Sequence, residues 1–296
     1  MPNLKDIRNR IQSVKNTQQI TRAMKMVSAA KLRRAQQNIQ NLRPFAKHIL
    51  SVIADISTTQ RIEHPLLGSS GALQPKKVLM VVLTSDRGLA GGFNNNINRY
   101  ALKYYQENKA NFEVMDFVFI GRKGSDFFKS RNILGKETIL NLAREVSFHL
   151  AEGMAERLIK EFTDGGYDAV YLVYNEFKSA ISQVVTTERL LPVDVKDSHL
   201  LGKDGKVAFS RDLIFELEPE KMIDELLRKH FAIQVYRAMS ESVAAEHGAR
   251  MAAMENATKN AGEMIRTMTL TYNKLRQASI TTELIEIVSG AEALKG

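Results

Sequence analysis

The chain has 296 residues, of which 44% are hydrophobic, and this is enough to bury the core of one large domain or two ordinary ones. It contains no cysteine, which excludes disulfides, thiolate metal sites, cysteine nucleophiles and thiol redox switches. The formal net charge of +9 lies entirely in residues 1–59, which contain eleven lysines and arginines and only two aspartates. We therefore infer a polyanionic partner for this stretch.

A long helix is expected at the N-terminus. Neither proline nor glycine occurs from Asn3 to Arg43, which allows a helix of about 41 residues, roughly 60 Å long at 1.5 Å per residue. The apolar residues at its start have the 3-4-3 spacing of a coiled-coil seam: Leu4, Ile7, Ile11 and Val14.

The seam changes character after its first two heptads. Gln18 and Thr21 occupy the next seam positions, while the apolar residues move to Ile20, Met24 and Val27. A shift of the apolar positions away from the 3-4 spacing predicts that the seam loosens midway along the helix.

The middle of the chain, residues 76–195, changes to the pattern of an α/β domain. Short apolar runs predict strands at Lys77–Thr84, Val114–Ile120 and Asp168–Tyr174, with helices between them at Asn94–Lys109 and Arg144–Phe162. A further strand leading into a loop is expected within 179–195, and the loop at 197–209 has no assignable partner. The alternation predicts a mainly parallel sheet with helices on both faces.

A second long helix is expected at the C-terminus, because Pro219 is the last proline and only three glycines follow it before Leu294. Nine residues alternate strictly in steps of three and four: Met251, Met254, Thr258, Ala261, Ile265, Met268, Tyr272, Leu275 and Ser279. Such spacing over four heptads is typical of a coiled coil. The two terminal helices are therefore expected to pair antiparallel, which divides the chain into segments 1–59, 76–195 and 210–296.

A glycine-rich turn, SDRGLAGGFN at 85–94, joins the first strand to the helix that follows it. Backbone N–H groups and the helix dipole converge at such turns and often bind phosphate. The turn lacks the Lys-Ser/Thr ending of a P-loop and the spacing of a dinucleotide fingerprint, so a tight packing turn is favoured over a nucleotide site. A stand-alone nucleotide enzyme remains an alternative function.

The basic N-terminal helix allows a second alternative. Arg8, Lys15 and Arg22 have heptad spacing and lie on one helical face, where they could contact the phosphates of a nucleic acid. Residues 1–44 contain no aromatic side chain for base stacking, and no known nucleic-acid-binding module accompanies them. The six scattered histidines do not form a metal-binding motif, and we predict no catalytic residue, no metal and no cofactor.

Two terminal segments carry a specific resemblance. ITRAMKMVSAAKLRRA at 20–35 and YNKLRQASITTELIEIVSGAEAL at 272–294 resemble the terminal signatures of the ATP synthase gamma-subunit family. Six C-terminal residues fit that pattern at every spacing: Ile280, Thr281, Glu283, Glu286, Gly290 and Ala291. The order of basic helix, glycine-rich turn and C-terminal helix also resembles the family, so the resemblance covers the whole chain. The regulatory cysteine pair of chloroplast members is absent, which favours a bacterial origin.

The resemblance implies a non-catalytic rotor shaft. In this family, the paired terminal helices form a coiled coil inside a ring of alpha and beta subunits, and a Rossmann-like α/β domain lies near the c ring. The implied partners are the alpha, beta, epsilon, delta and c-ring subunits of a proton-translocating ATP synthase, with no nucleic acid. The implied location is the cytoplasmic face of the bacterial inner membrane, with the membrane contacted only through the c ring.

By their position in the two signatures, six residues are expected to contact the catalytic ring: Met24, Lys25, Arg276, Gln277, Thr281 and Glu283. The resemblance, rather than their spacing, assigns them this role.

Overall fold

The structure is a computed structural model that describes residues 4–60, 64–68, 75–141, 146–164, 166–180, 182–193 and 218–293. The chain forms two compact units, Met1–Ser28 with Arg250–Gly296 and, separately, Ala29–Ala249. The loop expected at 197–209 lies outside the described residues. The division into segments 1–59, 76–195 and 210–296 stays a prediction.

Both long helices are present, and both are continuous. Helix α1 spans Leu4–Gln60 and helix α5 spans Pro219–Ala293. Helix α1 continues beyond the expected end at Arg43, with Pro44 inside it. A proline within a helix loses one backbone hydrogen bond, a local cost that packing of the following residues must offset. Ile53 and Ile56 lie beyond Pro44 and are buried in the core of the second unit, which explains why the helix continues.

The second unit contains a five-stranded sheet. Its strands are β1 (Lys77–Leu83), β2 (Val114–Ile120), β3 (Glu137–Ile139), β4 (Ala169–Phe177) and β5 (Gln183–Leu191). They lie in the order β3-β2-β1-β4-β5, and every neighbouring pair is parallel except β4 with β5. The predicted fold class, a mainly parallel α/β sheet combined with a long antiparallel coiled coil, is confirmed.

Side chains of the central strand alternate between two cores. Leu79, Val81 and Leu83 enter one cluster, which helix α4 (Phe148–Asp164) covers, while Met80 and Val82 enter the other. Helices α2 (Phe93–Asn108) and α3 (Arg122–Lys129) cover the second cluster. Helices on both faces explain why β1 reads as a continuous apolar run rather than an alternating one.

The two long helices also contribute to these cores. Ile223, Leu227 and Phe231 of α5 lie in the same cluster as Ile53 and Ile56 of α1. Farther along α5, nearly every side chain from 238 to 249 is buried, because the helix is covered on all sides there. An amphipathic pattern is therefore absent from this part of α5.

Two elements were not expected from the sequence. Helix α3 has eight residues and strand β3 has three, and both are too short to show a clear hydrophobic period. Tertiary contacts define them: β3 pairs with β2, and the Thr138 hydroxyl donates a hydrogen bond to the Ser125 hydroxyl of α3 over 3.0 Å.

Gly121 joins β2 to α3 in a conformation that favours glycine, with φ of 95°. A Cβ atom there would lie 2.3 Å from the carbonyl oxygen of Thr84, so backbone would have to move. The Thr84 hydroxyl donates to the carbonyl of Ile120 and accepts from the N–H of Gly124, at 3.0 and 2.9 Å. The ends of β1 and β2 therefore pack backbone against backbone.

We expect Gly121→Ala to lower the free energy of unfolding by about 2–4 kcal/mol, since it adds both dihedral strain and a clash with backbone. Urea unfolding of the full chain measures the change. Gly88→Ala is the matched control, because Gly88 has open space at its Cβ position, and it should stay within about 0.5 kcal/mol of the parent. Equal effects of the two substitutions would contradict the packing described for Gly121.

His230 of α5 is buried, and its Nδ1 atom has no hydrogen-bond partner among the residues that the structure describes. Burial, helped by the nearby Arg237 guanidinium, lowers the pKa of His230 from 6.5 to about 4. The unfolded chain consequently binds a proton between these pH values that the folded chain does not bind. The free energy of unfolding must therefore fall as the pH falls through this window.

We expect the free energy of unfolding to decrease by up to about 3 kcal/mol between pH 6.5 and pH 4 through His230, at about 1.36 kcal/mol per pH unit. His230→Leu should remove that part of the pH dependence, as measured by urea titrations at half-unit intervals. His149→Leu, which replaces an almost fully exposed histidine on α4, serves as the control. An unchanged slope in the His230 variant would refute the assignment.

Candidate partner-contact surfaces of the paired helices

In the first unit, the seam of α5 lies where the sequence predicts it. All nine predicted positions, from Met251 to Ser279, are buried or half-buried. Every residue between them from Glu263 onward is exposed. The 3-4 spacing therefore correctly identified the packed face of this helix.

On α1, the packed face keeps its spacing through the polar residues. Thr21 and Ser28 are buried, and Gln18 and Lys25 are half-buried. Ile20 and Val27 are 60% and 58% exposed. Gln18 and Thr21 therefore occupy the seam as predicted, while among the displaced apolar residues Met24 is half-buried and Ile20 and Val27 lie outside the seam. That the seam loosens midway stays a prediction.

Polar contacts between described residues join the two helices in this unit. Thr21 and Thr258 place their hydroxyl oxygens 2.8 Å apart, and the Gln18 amide donates to the carbonyl of Thr258 over 3.3 Å. Lys25 forms an ion pair with Glu255 at 2.8 Å. Since Gln18 and Lys25 flank Thr21 while their partners run in the opposite order, the helices are antiparallel.

The six predicted contact residues fall into two groups. Met24 and Lys25 are half-buried on α1, and Lys25 already pairs with Glu255. The other four, Arg276, Gln277, Thr281 and Glu283, are exposed within two turns of α5. Glu255 and Arg276 are 21 positions apart on one helix, roughly 30 Å at 1.5 Å per residue. The structure therefore places the two groups at different heights of the helix pair.

Within the α5 group, side chains bond to their own helix. The Thr281 hydroxyl donates to the carbonyl of Gln277 over 2.9 Å, and the Ser279 hydroxyl donates to Glu283 over 3.3 Å. These bonds leave the remaining carboxylate oxygen of Glu283 and the exposed Arg276 guanidinium accessible to another molecule.

The C-terminal end of α5 extends beyond its pairing with α1. Counting in opposite directions from Thr21 and Thr258 brings Leu4, where α1 begins, level with Leu275. Helix α5 continues to Ala293. This overhanging segment exposes five large apolar side chains, between 49% and 68%: Ile280, Leu284, Ile285, Ile287 and Val288. Large exposed apolar patches often lie at protein–protein interfaces.

Sequence reasoning missed this apolar overhang and the exposed side chains of Ile20, Met26 and Val27. A signal for them was present, since they are large apolar residues outside the 3-4 spacing. The same part of α1 presents exposed cations, and Arg8, Lys15 and Arg22 share one face. Apolar and cationic groups thus lie side by side on the outer surface of the helix pair.

The glycine-rich turn at 85–94 is stabilised by its own side chains. The carboxylate of Asp86 accepts the N–H of Arg122 at the start of α3, over 3.0 Å, and the N–H of Asn141, over 2.8 Å. Asn94 accepts the N–H of Ser85 over 2.9 Å. The carboxylate of Asp86 therefore lies at the start of α3, where the helix dipole favours a negative charge.

Neither a metal site nor a membrane-spanning helix is found in the described part of the chain. No group of three or more histidine, aspartate or glutamate side chains there is arranged to hold a metal ion. Within the same described residues, no helix has a stretch that is long and apolar enough to cross a bilayer.

The family model for ATP synthase matches residues 3–294. The ATP synthase gamma chain of Bdellovibrio bacteriovorus is 59% identical over 298 residues, and that of Geobacter sp. strain M21 is 46% identical over 297, each alignment covering all of both chains. This chain belongs to the ATP synthase gamma-chain family. The resemblance read from the terminal signatures is thereby confirmed.

Solved structures agree with the fold of this gamma-chain family member. A chain from the central stalk and c ring of the Tetrahymena thermophila mitochondrial ATP synthase is 32% identical, with a TM-score of 0.60, and the match covers 80% of this chain and 99% of that one. A chain of the Euglena gracilis mitochondrial ATP synthase shares the fold at 24% identity, with a TM-score of 0.67 over 98% and 94% of the two chains.

A pair of substitutions tests the seam of α1. Ile7→Ala removes a buried seam side chain and should lower the free energy of unfolding by about 2–4 kcal/mol. Ile20→Ala removes an exposed side chain of the same size and should change it by no more than about 0.5 kcal/mol. Urea unfolding of both full-length variants is the measurement. An equal loss of free energy of unfolding in the two variants would show that Ile20 also belongs to the seam.

Proposed function

We propose that this chain is the central rotor shaft of the F1 sector of a proton-translocating ATP synthase. In this role it couples rotation of the c ring to conformational change in the catalytic beta subunits. It contributes no catalytic residue, and the chemistry of ATP synthesis takes place in the beta subunits. Full-length similarity to gamma chains at up to 59% identity supports the assignment.

The observation that carries the proposal is the exposed apolar overhang of α5. A helix that exposes Leu284, Ile287 and Val288 to water would be unfavourable in isolation, so we infer that a partner encloses it. Two exposed acidic residues, Glu283 and Glu286, share this segment with its five large apolar side chains. A smooth apolar lining around such an end can exclude water without forming directional bonds, which allows the helix to turn inside it.

The outer surface of α1 fits a second kind of contact. Exposed cations at Arg8, Lys15 and Arg22 would attract acidic loops of the surrounding subunits. Coulombic attraction depends weakly on angle, so such contacts persist while the shaft rotates. The half-buried Met24 and Lys25 are the residues of α1 for which we propose direct contact with the catalytic ring.

Arg276, Gln277, Thr281 and Glu283 form the other proposed contact group, near the overhang of α5. A shaft changes the conformation of a partner only through the difference in its interaction free energy between two states. About 1.4 kcal/mol changes an equilibrium tenfold, so a few charge-assisted hydrogen bonds at each height are sufficient.

We further propose that the chain assembles with the alpha, beta, epsilon, delta and c-ring subunits at the cytoplasmic face of the bacterial inner membrane. Contact with the bilayer is then indirect, through the c ring. The proposal assigns no nucleic-acid or cofactor site to the chain.

Gentle purification of the tagged chain from its native cell tests this assembly. We expect alpha and beta chains to accompany it at about three copies each, as native mass spectrometry would show, together with ATPase activity. Recovery of nucleic acid in place of these subunits, with a steep dependence on salt, would instead favour the phosphate-binding alternative for α1.

The contact group on α5 is tested by the double substitution Arg276→Ala and Glu283→Ala. We expect ATP hydrolysis of the assembled complex to fall at least tenfold, because two charged groups near the catalytic ring are lost together. Lys274→Ala, at an exposed position on the same helix outside the proposed group, should stay within about twofold of the parent. Equal subunit content, checked by mass, must accompany both results. Full activity of the double variant would remove these residues from the contact surface.

A further inference from the structure

We propose that a groove between α1, α4 and α5, here called the anchor groove, binds a tyrosine or tryptophan side chain of a partner subunit. All of its residues lie in the second unit, and its volume is about 350 Å³. Helix α1 contributes Asn38, Asn41, Leu42 and Phe45. The proposal rests on the assembly proposed above only for the source of the partner chain.

The anchor groove combines one face from each of its helices. The four residues of α1 have the 3-4 spacing of a single helical face. Helix α5 adds Ile233 and Tyr236, which are three positions apart, and α4 adds its first residue, Phe148. Ile233 is buried, so the second unit closes the groove on that side, while the rings of α1 and α4 lie at its opening.

Two of the three aromatic rings in the anchor groove are exposed to water. Phe45 is 66% exposed and Phe148 is 39% exposed. The ring of Phe148 meets the ring of Tyr236 nearly edge-on, with centroids 6.0 Å apart and planes at 79°. A third ring can join such a pair, because aromatic rings attract one another through their faces and edges.

The anchor groove has no charged residue in its lining, although a quarter of the chain is charged. Depletion of charge together with enrichment of aromatic side chains is typical of the centre of a protein interface. A phosphate or a charged side chain would lose its water there without gaining an ionic partner. The volume is at the lower end of the roughly 300–1,000 Å³ of small-molecule sites, which favours a single side chain as the occupant.

Polar groups beside the rings restrict the occupant further. The Asn38 amide and the Tyr236 hydroxyl form no hydrogen bond with another described residue. Asn41 uses its side-chain oxygen, which accepts a hydrogen bond from Gln37 over 3.1 Å, and keeps its amide hydrogens for another acceptor. An aliphatic side chain would cover these groups without replacing the water that they bind.

Tyrosine and tryptophan have the combination of groups that the anchor groove requires. Each has a large apolar ring for the aromatic walls and one hydroxyl or N–H group for a polar partner. Both are common among the few residues that contribute most of the free energy of binding at interfaces. Phenylalanine and leucine lack the polar group, so we expect them to bind more weakly.

Photo-crosslinking in the native complex tests the proposal. The photoreactive residue p-benzoylphenylalanine replaces Asn41 in the tagged chain, and mass spectrometry identifies the crosslinked peptide after gentle purification. We expect one peptide of a partner subunit, with a tyrosine or tryptophan at the crosslink. Replacing that residue with alanine should lower the yield at least about tenfold. The same photoreactive residue at His149, whose side chain is 98% exposed, is the control and should give little of this product.

The outcomes against the proposal are specific. A crosslink to a peptide without tyrosine or tryptophan, or to a second copy of this chain, would overturn it. An intact complex that gives no crosslink from position 41 would do the same. The subunit content of the same sample is measured separately, so a loss of alpha and beta chains would contradict the proposed function instead. The isolated chain then tests the anchor groove.

The isolated full-length chain is tested with N-acetyl-tryptophanamide as the probe, and the methyl NMR signals of Leu42 and Ile233 report binding. We expect both signals to shift saturably. N-acetyl-leucinamide has the same amide groups without the indole, so it should bind at least about threefold more weakly. Equal affinity for the two probes, or no shift at either methyl group, would refute the anchor groove.

A matched pair of variants locates the probe. Phe45→Ala removes an exposed ring of the anchor groove and should weaken binding of N-acetyl-tryptophanamide at least about threefold. Leu89→Ala removes a side chain that is also exposed, at 65%, and lies outside the groove, so its affinity should equal that of the parent. Circular dichroism checks that both variants fold. Equal affinities of the two variants would place the probe elsewhere and contradict the proposal.

Discussion

Everything in the first unit depends on a single seam shared by two helices of opposite direction. A long helix is marginal in water unless an apolar face is covered, and here each helix covers the other. The seam side chains set which positions face inward, and all remaining positions become surface by exclusion. That is why exposed cations and exposed apolar groups lie next to each other on α1. The outer surface is free to vary in chemistry because it carries no packing requirement.

The same two helices take part in the second unit under a different constraint. There, α1 and α5 pack against a sheet, and from residue 238 to 249 nearly every side chain of α5 is buried. A helix that is covered on all sides needs no apolar stripe along one face. The type of each residue, whether apolar, small or polar, is then determined by the neighbouring side chains that it contacts. The continuation of α1 through Pro44 has the same origin, since burial of Ile53 and Ile56 compensates for a lost backbone bond.

In the sheet, side chains of the chain itself bond to the backbone of the loops at the carboxyl ends of β1 and β2. The carboxylate of Asp86 accepts backbone N–H groups at the start of α3 and at Asn141, and Thr84 bonds to the backbone of the neighbouring connection. These bonds stabilise the loops at the carboxyl ends of β1 and β2.

The sequence by itself determined the long helices, the positions of the main strands along the chain, the inner face of α5 and the family. These features depend on local periodicity or on extended signatures, which are readable without knowing the neighbours of a residue. Only the tertiary structure decided that Ile20 and Val27 lie outside the seam, because burial depends on a partner more than 230 residues away. It also decided the short elements α3 and β3, the role of Asp86, and the overhang of α5 beyond Leu4. Each of these depends on which distant segments of the chain contact each other. The pattern of hydrophobic residues along the chain does not predict those contacts.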